Sequence, residues 1–122
     1  MTLGTEWLID ASGCDPTALA DINRLQTIFD RIISDLDLHV LGEISWHKFA
    51  SPGGVTGIAM LSESHLACHT YPEFRAATFN LYCCRDRAIW PWEQMLKEML
   101  SASQVTVRTF ERIALQAGGA AR

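Results

Sequence analysis

The chain lacks an excess of positive charge: 10 lysines and arginines stand against 14 aspartates and glutamates, leaving a net charge of −4. Nucleic-acid phosphates need a concentrated basic face, so tight polyanion binding is excluded as a role. It also lacks any apolar run near the roughly 18 to 20 residues of a membrane-spanning helix. The opening Met1-Thr2-Leu3-Gly4-Thr5-Glu6 has neither the basic nor the apolar region of a secretory signal. Cysteine is sparse, at Cys14, Cys68, Cys83 and Cys84, and the vicinal pair could bridge only under strain. A chain of 122 residues is large enough to need no disulfide staples, so free thiols in a reducing cytoplasm are expected. Repeats, low-complexity tracts and long linkers are absent too, which points to one domain over residues 1–122. What is present agrees: 48% apolar and 20% charged residues is a globular balance, far from that of a disordered chain.

Periodicity then sets out the elements. Thr5 to Ala11 reads as a strand with Trp7 and Ile9 on one side and Leu8 on the other. Asp15-Pro16 supplies a side-chain cap and a preset first turn. Leu19, Ile22, Leu25, Phe29, Ile32 and Ile33 follow at helical spacing, so one amphipathic helix is expected to run to about Leu36. Leu38 to Phe49 reads as a strand, closed by the turn signal Ser51-Pro52-Gly53-Gly54. Val55 to Leu61, His65 to Tyr71 and Ala76 to Cys83 read as further strands. Pro91 opens a second helix with Trp92, Met95, Leu96, Met99 and Leu100 as its buried stripe, and Gln104 to Phe110 closes the set as a strand. The alanine- and glycine-rich tail from Gln116 to Arg122 is expected to fray. This order predicts an α+β two-layer sandwich, a mostly antiparallel sheet with two helices on one face. Ala59, Cys68, Phe79, Leu81 and the tryptophans offer more apolar surface than two helices hide, so a homodimer through the sheets is expected.

The chemistry concentrates in Leu61-Ser62-Glu63-Ser64-His65-Leu66-Ala67-Cys68-His69-Thr70-Tyr71-Pro72-Glu73. On a strand, His65, Ala67 and His69 share one face. Ser64 at its mouth and Cys83-Cys84 on a paired strand would bring a hydroxyl, imidazoles and a thiol together, as a catalytic site requires. A Ser–His hydrolase is disfavoured, because the glycine-flanked nucleophile elbow is missing around Ser64. A zinc site could draw on His65, Cys68, His69, Cys83 and Cys84, but the spacing is not that of paired Cys-x-x-Cys knuckles. The third chemistry is attack by Ser64 on its own preceding peptide bond. Taken singly, His47 and His65 read as satisfied histidines, Cys14 and Cys68 as small buried hydrophobes, and the four tryptophans as core or interface anchors.

Leu61-Ser-Glu-Ser-His-Leu and His69-Thr-Tyr-Pro-Glu73 resemble the signature of the prokaryotic S-adenosylmethionine decarboxylases, small pyruvoyl-dependent enzymes. The likeness extends to Trp46-His-Lys-Phe49, Gly54-Val-Thr-Gly57, Cys84, Pro91-Trp92 and the stretch from Gly4 to Cys14. It implies self-cleavage between Glu63 and Ser64 into a chain of residues 1–63 and a chain of residues 64–122. Ser64 would become a covalent pyruvoyl cofactor that holds the substrate as a Schiff base; no metal is implied. His69 matches the histidine that assists processing as a proton acceptor, and Thr56 a hydroxyl position that steadies the processing intermediate. Cys84 matches the proton donor of the decarboxylation, with Cys83 as the fallback one register away. Phe49, Tyr71 and Glu73 match substrate-binding positions, where aromatic faces suit adenine and a sulfonium. The implied enzyme feeds polyamine biosynthesis, binds a small substrate and pairs with a second copy.

The chain departs from the common pattern at four places. Tyr71 stands where tryptophan is usual, Arg75 and Arg85 where glycine is common, and Asn80 where aspartate is common. A changed pocket would fit the same chemistry turned to L-ornithine or L-arginine. Two other classes compete: a non-enzymatic His/Cys metal-binding module, and an unprocessed relative serving as a regulatory partner subunit.

Overall fold

A computed structural model describes residues 1–115. The tail from Gln116 onward, expected to fray, lies outside the described residues. Six strands form one sheet: β1 (Thr2–Ser12), β2 (Ser45–Lys48), β3 (Val55–Leu61), β4 (Ser64–Tyr71), β5 (Ala76–Cys83) and β6 (Gln104–Ile113). They lie in the order β2-β3-β4-β5-β1-β6 and every neighbouring pair is antiparallel. The helices are α1 (Pro16–Leu19), α2 (Ile22–Asp35) and α3 (Trp92–Leu100). None of the described helices is long and apolar enough to cross a membrane.

Alternation decides which face is covered. Trp7, Ile9 and Ala11 of β1, Leu66 and Cys68 of β4, and Phe79, Leu81 and Cys83 of β5 are buried against Leu25, Ile28, Phe29 and Ile32 of α2 and Trp92, Leu96 and Leu100 of α3. All four tryptophans belong to this side. Trp46 packs its ring on Phe29 and lies over Gly57, where a Cβ would collide with the indole. The other face stays open and carries Ile58, Met60, His65, His69, Asn80, Arg108 and Phe110.

Three expectations are corrected. The single helix up to Leu36 is two, because Ala20 ends the first and the Asp21 carboxylate caps the second by accepting from the Asn23 and Arg24 N–H groups. The strand from Leu38 to Phe49 shrinks to β2, with a lone bridge from Val40 to Leu61, because Asp37 and Gly42 take positive φ. The apolar residues from which a dimer was expected, Ala59, Cys68, Phe79 and Leu81, all lie under the helices of one protomer. On the open face the exposed apolar residues instead include Ile58, Met60 and Phe110.

Candidate active site

β3 and β4 form a hairpin whose two-residue turn is Ser62-Glu63, with Leu61 opposite Ser64. Its closed end holds the first group of residues. Ser64 pairs in register with Cys83, and the Cys84 N–H donates to the Glu63 carbonyl at 3.0 Å. A tight turn thus presents a carbonyl, the hydroxyl one residue beyond it, and an amide aimed at the carbonyl oxygen. Cys84 leaves β5 exposed, while Cys83 is buried. Burial pushes the Cys83 thiol up, and the Arg87 charge and a hydrogen bond from Ser64 partly offset this. Arg85 forms an ion pair with the Glu63 carboxylate.

The second group sits at the other end of the hairpin. Thr56 and His69 are partners across β3 and β4, and Thr56 Oγ1 lies 3.0 Å from His69 Nδ1. They open on a hollow of about 290 Å³ lined also by Phe49, Gly54, Tyr71 and Glu73. Gly54 is required in its wall, because a Cβ there would come within 2.6 Å of the Thr70 carbonyl oxygen. His47 meets Phe49 edge-on, with ring centroids 4.5 Å apart, and Phe49 remains 54% exposed to the hollow and solvent. Beneath, Thr70 pins this end of β4: its hydroxyl donates to the Leu19 carbonyl and accepts from the Val55 N–H.

The expected residues therefore form two half-sites. Thr56, His69, Phe49, Tyr71 and Glu73 come together; Glu63, Ser64, Cys83 and Cys84 come together; within one chain the two sets do not meet. His69 follows Ser64 by five strand residues, roughly 17 Å at about 3.3 Å each. Ser64 is also not beside the face of His65 and His69. It alternates with the buried Leu66 and Cys68 and faces the helix side. The same alternation breaks up the metal set, since His65 and His69 look out while Cys68 and Cys83 look in. Among the described residues no cluster of three His, Cys, Asp or Glu side chains could hold an ion. Burial pushes the Cys68 thiol up to about 12, which leaves it a small core hydrophobe.

One arrangement has no local signal in the sequence. Across the open face, the Asn80 amide donates to Glu6 and its carbonyl oxygen lies 2.7 Å from His65 Nε2; Arg112 closes the chain on Glu6. Hydrogen bonding from Asn80, then from Arg112, holds the Glu6 carboxyl below its usual range against the opposing effect of burial. Glu6 and Arg112 lie 106 positions apart, so only the strand order joins them.

Three of the four departures now have a place. Arg75, which follows the 3-10 turn Pro72–Phe74, has φ 52°, a left-handed position that explains the usual glycine. Asn80 belongs to the open-face chain and Arg85 to the Glu63 ion pair. Only Tyr71 lines the hollow.

Comparison with known proteins identifies the family. The sequence profile of S-adenosylmethionine decarboxylase matches residues 5–113. An S-adenosylmethionine decarboxylase proenzyme of Pelotomaculum thermopropionicum is 38% identical over 112 residues, covering 90% of this chain and 86% of the relative. One from Moorella thermoacetica is 35% identical over 90% of this chain and 87% of its own. The crystal structure of the adenosylmethionine decarboxylase from Aquifex aeolicus shares the fold, with a TM-score of 0.76 at 24% identity over 94% of each chain. On its sequence, the chain belongs to the S-adenosylmethionine decarboxylase family.

Proposed function

We propose that this chain is a self-processing, pyruvoyl-dependent decarboxylase of S-adenosylmethionine that feeds polyamine biosynthesis in the cytoplasm. One observation carries the reading: the Glu63 carbonyl accepts from the Cys84 N–H while the Ser64 hydroxyl stands one residue beyond it. An amide aimed at a carbonyl under attack stabilises the oxyanion that develops there. Ser64 Oγ adds to the Glu63 carbonyl carbon, and the C–N bond between the two residues breaks to leave an ester and a free amine. Removal of the Ser64 α-proton then breaks the Cβ–O bond and frees Glu63 as a C-terminal carboxylate. The dehydroalanine left behind takes up water and releases ammonia, so chain 64–122 begins with a pyruvoyl group and chain 1–63 ends at Glu63. That group supplies the electron sink for loss of CO₂ by condensing with the substrate amine.

The base for the α-proton is His69, with Thr56 holding its ring, and it comes from a second copy. About 17 Å of strand lies between Ser64 and its own His69, far beyond the reach of a proton transfer. Two open faces packed with their hairpins antiparallel would bring the partner's His69, Thr56, Phe49, Tyr71 and Glu73 to the Ser64 end. Ile58, Met60 and Phe110, exposed on that face, would be covered by the same contact. Cys84 is the proton donor to the substrate carbon, because its thiol is accessible and adjacent to the oxyanion amide. Cys83 is the second reading, favoured by its place as the register partner of Ser64.

S-adenosylmethionine is the substrate we assign, since Arg75, Asn80 and Arg85 all lie outside the hollow that keeps Phe49, Tyr71 and Glu73. Release of CO₂ from S-adenosylmethionine, L-ornithine and L-arginine tests this on the intact protein and on Ser64→Ala. Turnover of S-adenosylmethionine by the intact protein alone is expected. Turnover of ornithine or arginine instead would move the specificity, and none from any of the three would overturn the enzymatic reading.

A further inference from the structure

A hollow of about 540 Å³ lies beside the scissile bond, separate from the substrate hollow and lined by Asp37, His39, Ser62, Glu63, Arg85 and Arg87. Its charges are uneven in a telling way. Arg85 is paired with the Glu63 side chain, whereas the Nε of Arg87 is buried and has no hydrogen-bond acceptor among the described residues; its Nη1 donates only to the neighbouring Asp86 carbonyl, at 3.4 Å. A buried charged donor without an acceptor is costly, and proteins seldom leave one so. Arg87 lines the same hollow as Ser62 and Glu63, the two residues of the hairpin turn, and its charge opposes the rise of the Cys83 thiol across from Ser64. Self-cleavage turns the neutral Glu63–Ser64 amide into a Glu63 α-carboxylate at this spot. One oxygen is already held by the Cys84 N–H, and the second is new.

We propose that Arg87 is a receiving residue for the carboxylate that cleavage creates: the new C-terminus of chain 1–63 docks on Arg87, with Arg85 on the neighbouring side chain. The inference rests on the self-cleavage reading above. In the precursor the Arg87 Nε has no acceptor; in the processed protein a charge-assisted hydrogen bond ties the two chains where the backbone no longer does.

The test is a cycle of four proteins: the intact sequence and Ser64→Ala, each with Arg87 or Arg87→Gln. Each is weighed for cleavage and melted at one concentration. Arg87→Gln is expected to lower the melting temperature of the cleaved protein by about 4 °C more than that of the uncleaved Ser64→Ala protein. The excess should shrink in high salt. Arg87→Lys, which keeps the charge without the fork, is expected to fall between them and serves if the glutamine variant does not fold. Equal losses in both backgrounds would overturn the proposal and leave Arg87 a purely structural residue. A cleavage-proficient chain that Arg87→Gln leaves whole would overturn it too, because Arg87 would then act before the carboxylate exists. Failure of the parent reading is separately visible: the unaltered protein would itself remain whole.

Discussion

At the scale of single residues, the two neighbouring cysteines are told apart by one step of strand alternation. Cys83 points into the core, and Cys84 emerges from the sheet end with its amide on the Glu63 carbonyl. That amide is backbone, so Cys84→Ala is expected to cleave normally and lose about 10²- to 10⁴-fold in turnover number, the usual loss for a general acid. Cys83→Ala is expected to lose stability and keep turnover; the reverse pattern would make Cys83 the donor. Asn80 offers a second residue-scale check. It is the largest cause of the lowered Glu6 pKa. A depressed carboxyl adds stability above its unfolded value and loses it as pH falls through the folded one. The gap in stability between the natural protein and Asn80→Ala should therefore be full at neutral pH. It should close on acidification below 4.5, the ordinary value for Glu6. A gap independent of pH would mean that Asn80 acts by packing. The motif from Ser64 to Glu73 was legible because it is local. Glu6, Arg85 and Arg112 were not, because their partners are set by strand order and carry no spacing in the chain.

At the scale of elements, β1, β3, β4, β5, α3 and β6 were readable from alternation and helical spacing to within three residues at either end. The break between α1 and α2 was missed because Asp21 falls within a continuous apolar period and reads as a solvent-facing residue until its carboxylate is seen to cap. β2 was over-read because β-branched and aromatic residues between Leu38 and Phe49 line the core without pairing into a ladder. The turn after β4 explains a residue that had looked like a change of specificity. Arg75 occupies the left-handed region for backbone reasons, and its carbonyl accepts from the Cys14 N–H. Arg75→Gly is expected to raise stability by up to about 1 kcal/mol in denaturant titration, with the preference among substrates unchanged. A switch of substrate in that variant would return Arg75 to the pocket.

At the scale of the whole molecule, the hairpin of β3 and β4 holds the two groups of candidate residues at its opposite ends. Sequence alone suggested convergence of Ser64 with His69, since five residues are close on paper; an extended strand carries them apart. If the site forms across two copies, two inert chains can repair each other. His69→Ala and Ser64→Ala are each expected to stay whole alone. Expressed together, a mixed pair holds one site with both residues present, so the His69→Ala chain should cleave while the Ser64→Ala chain does not. A His69→Ala chain that remains whole in the mixture would contradict the shared site.

The most direct test of the central claim is the mass of the purified protein under denaturing conditions. Self-processing predicts two chains, 1–63 and 64–122, whose masses sum to that of the precursor plus one water less one ammonia, with the second chain closed to Edman degradation by its pyruvoyl end. A single chain of full mass, or two whose sum exceeds the precursor by a whole water with serine at the new N-terminus, would contradict it.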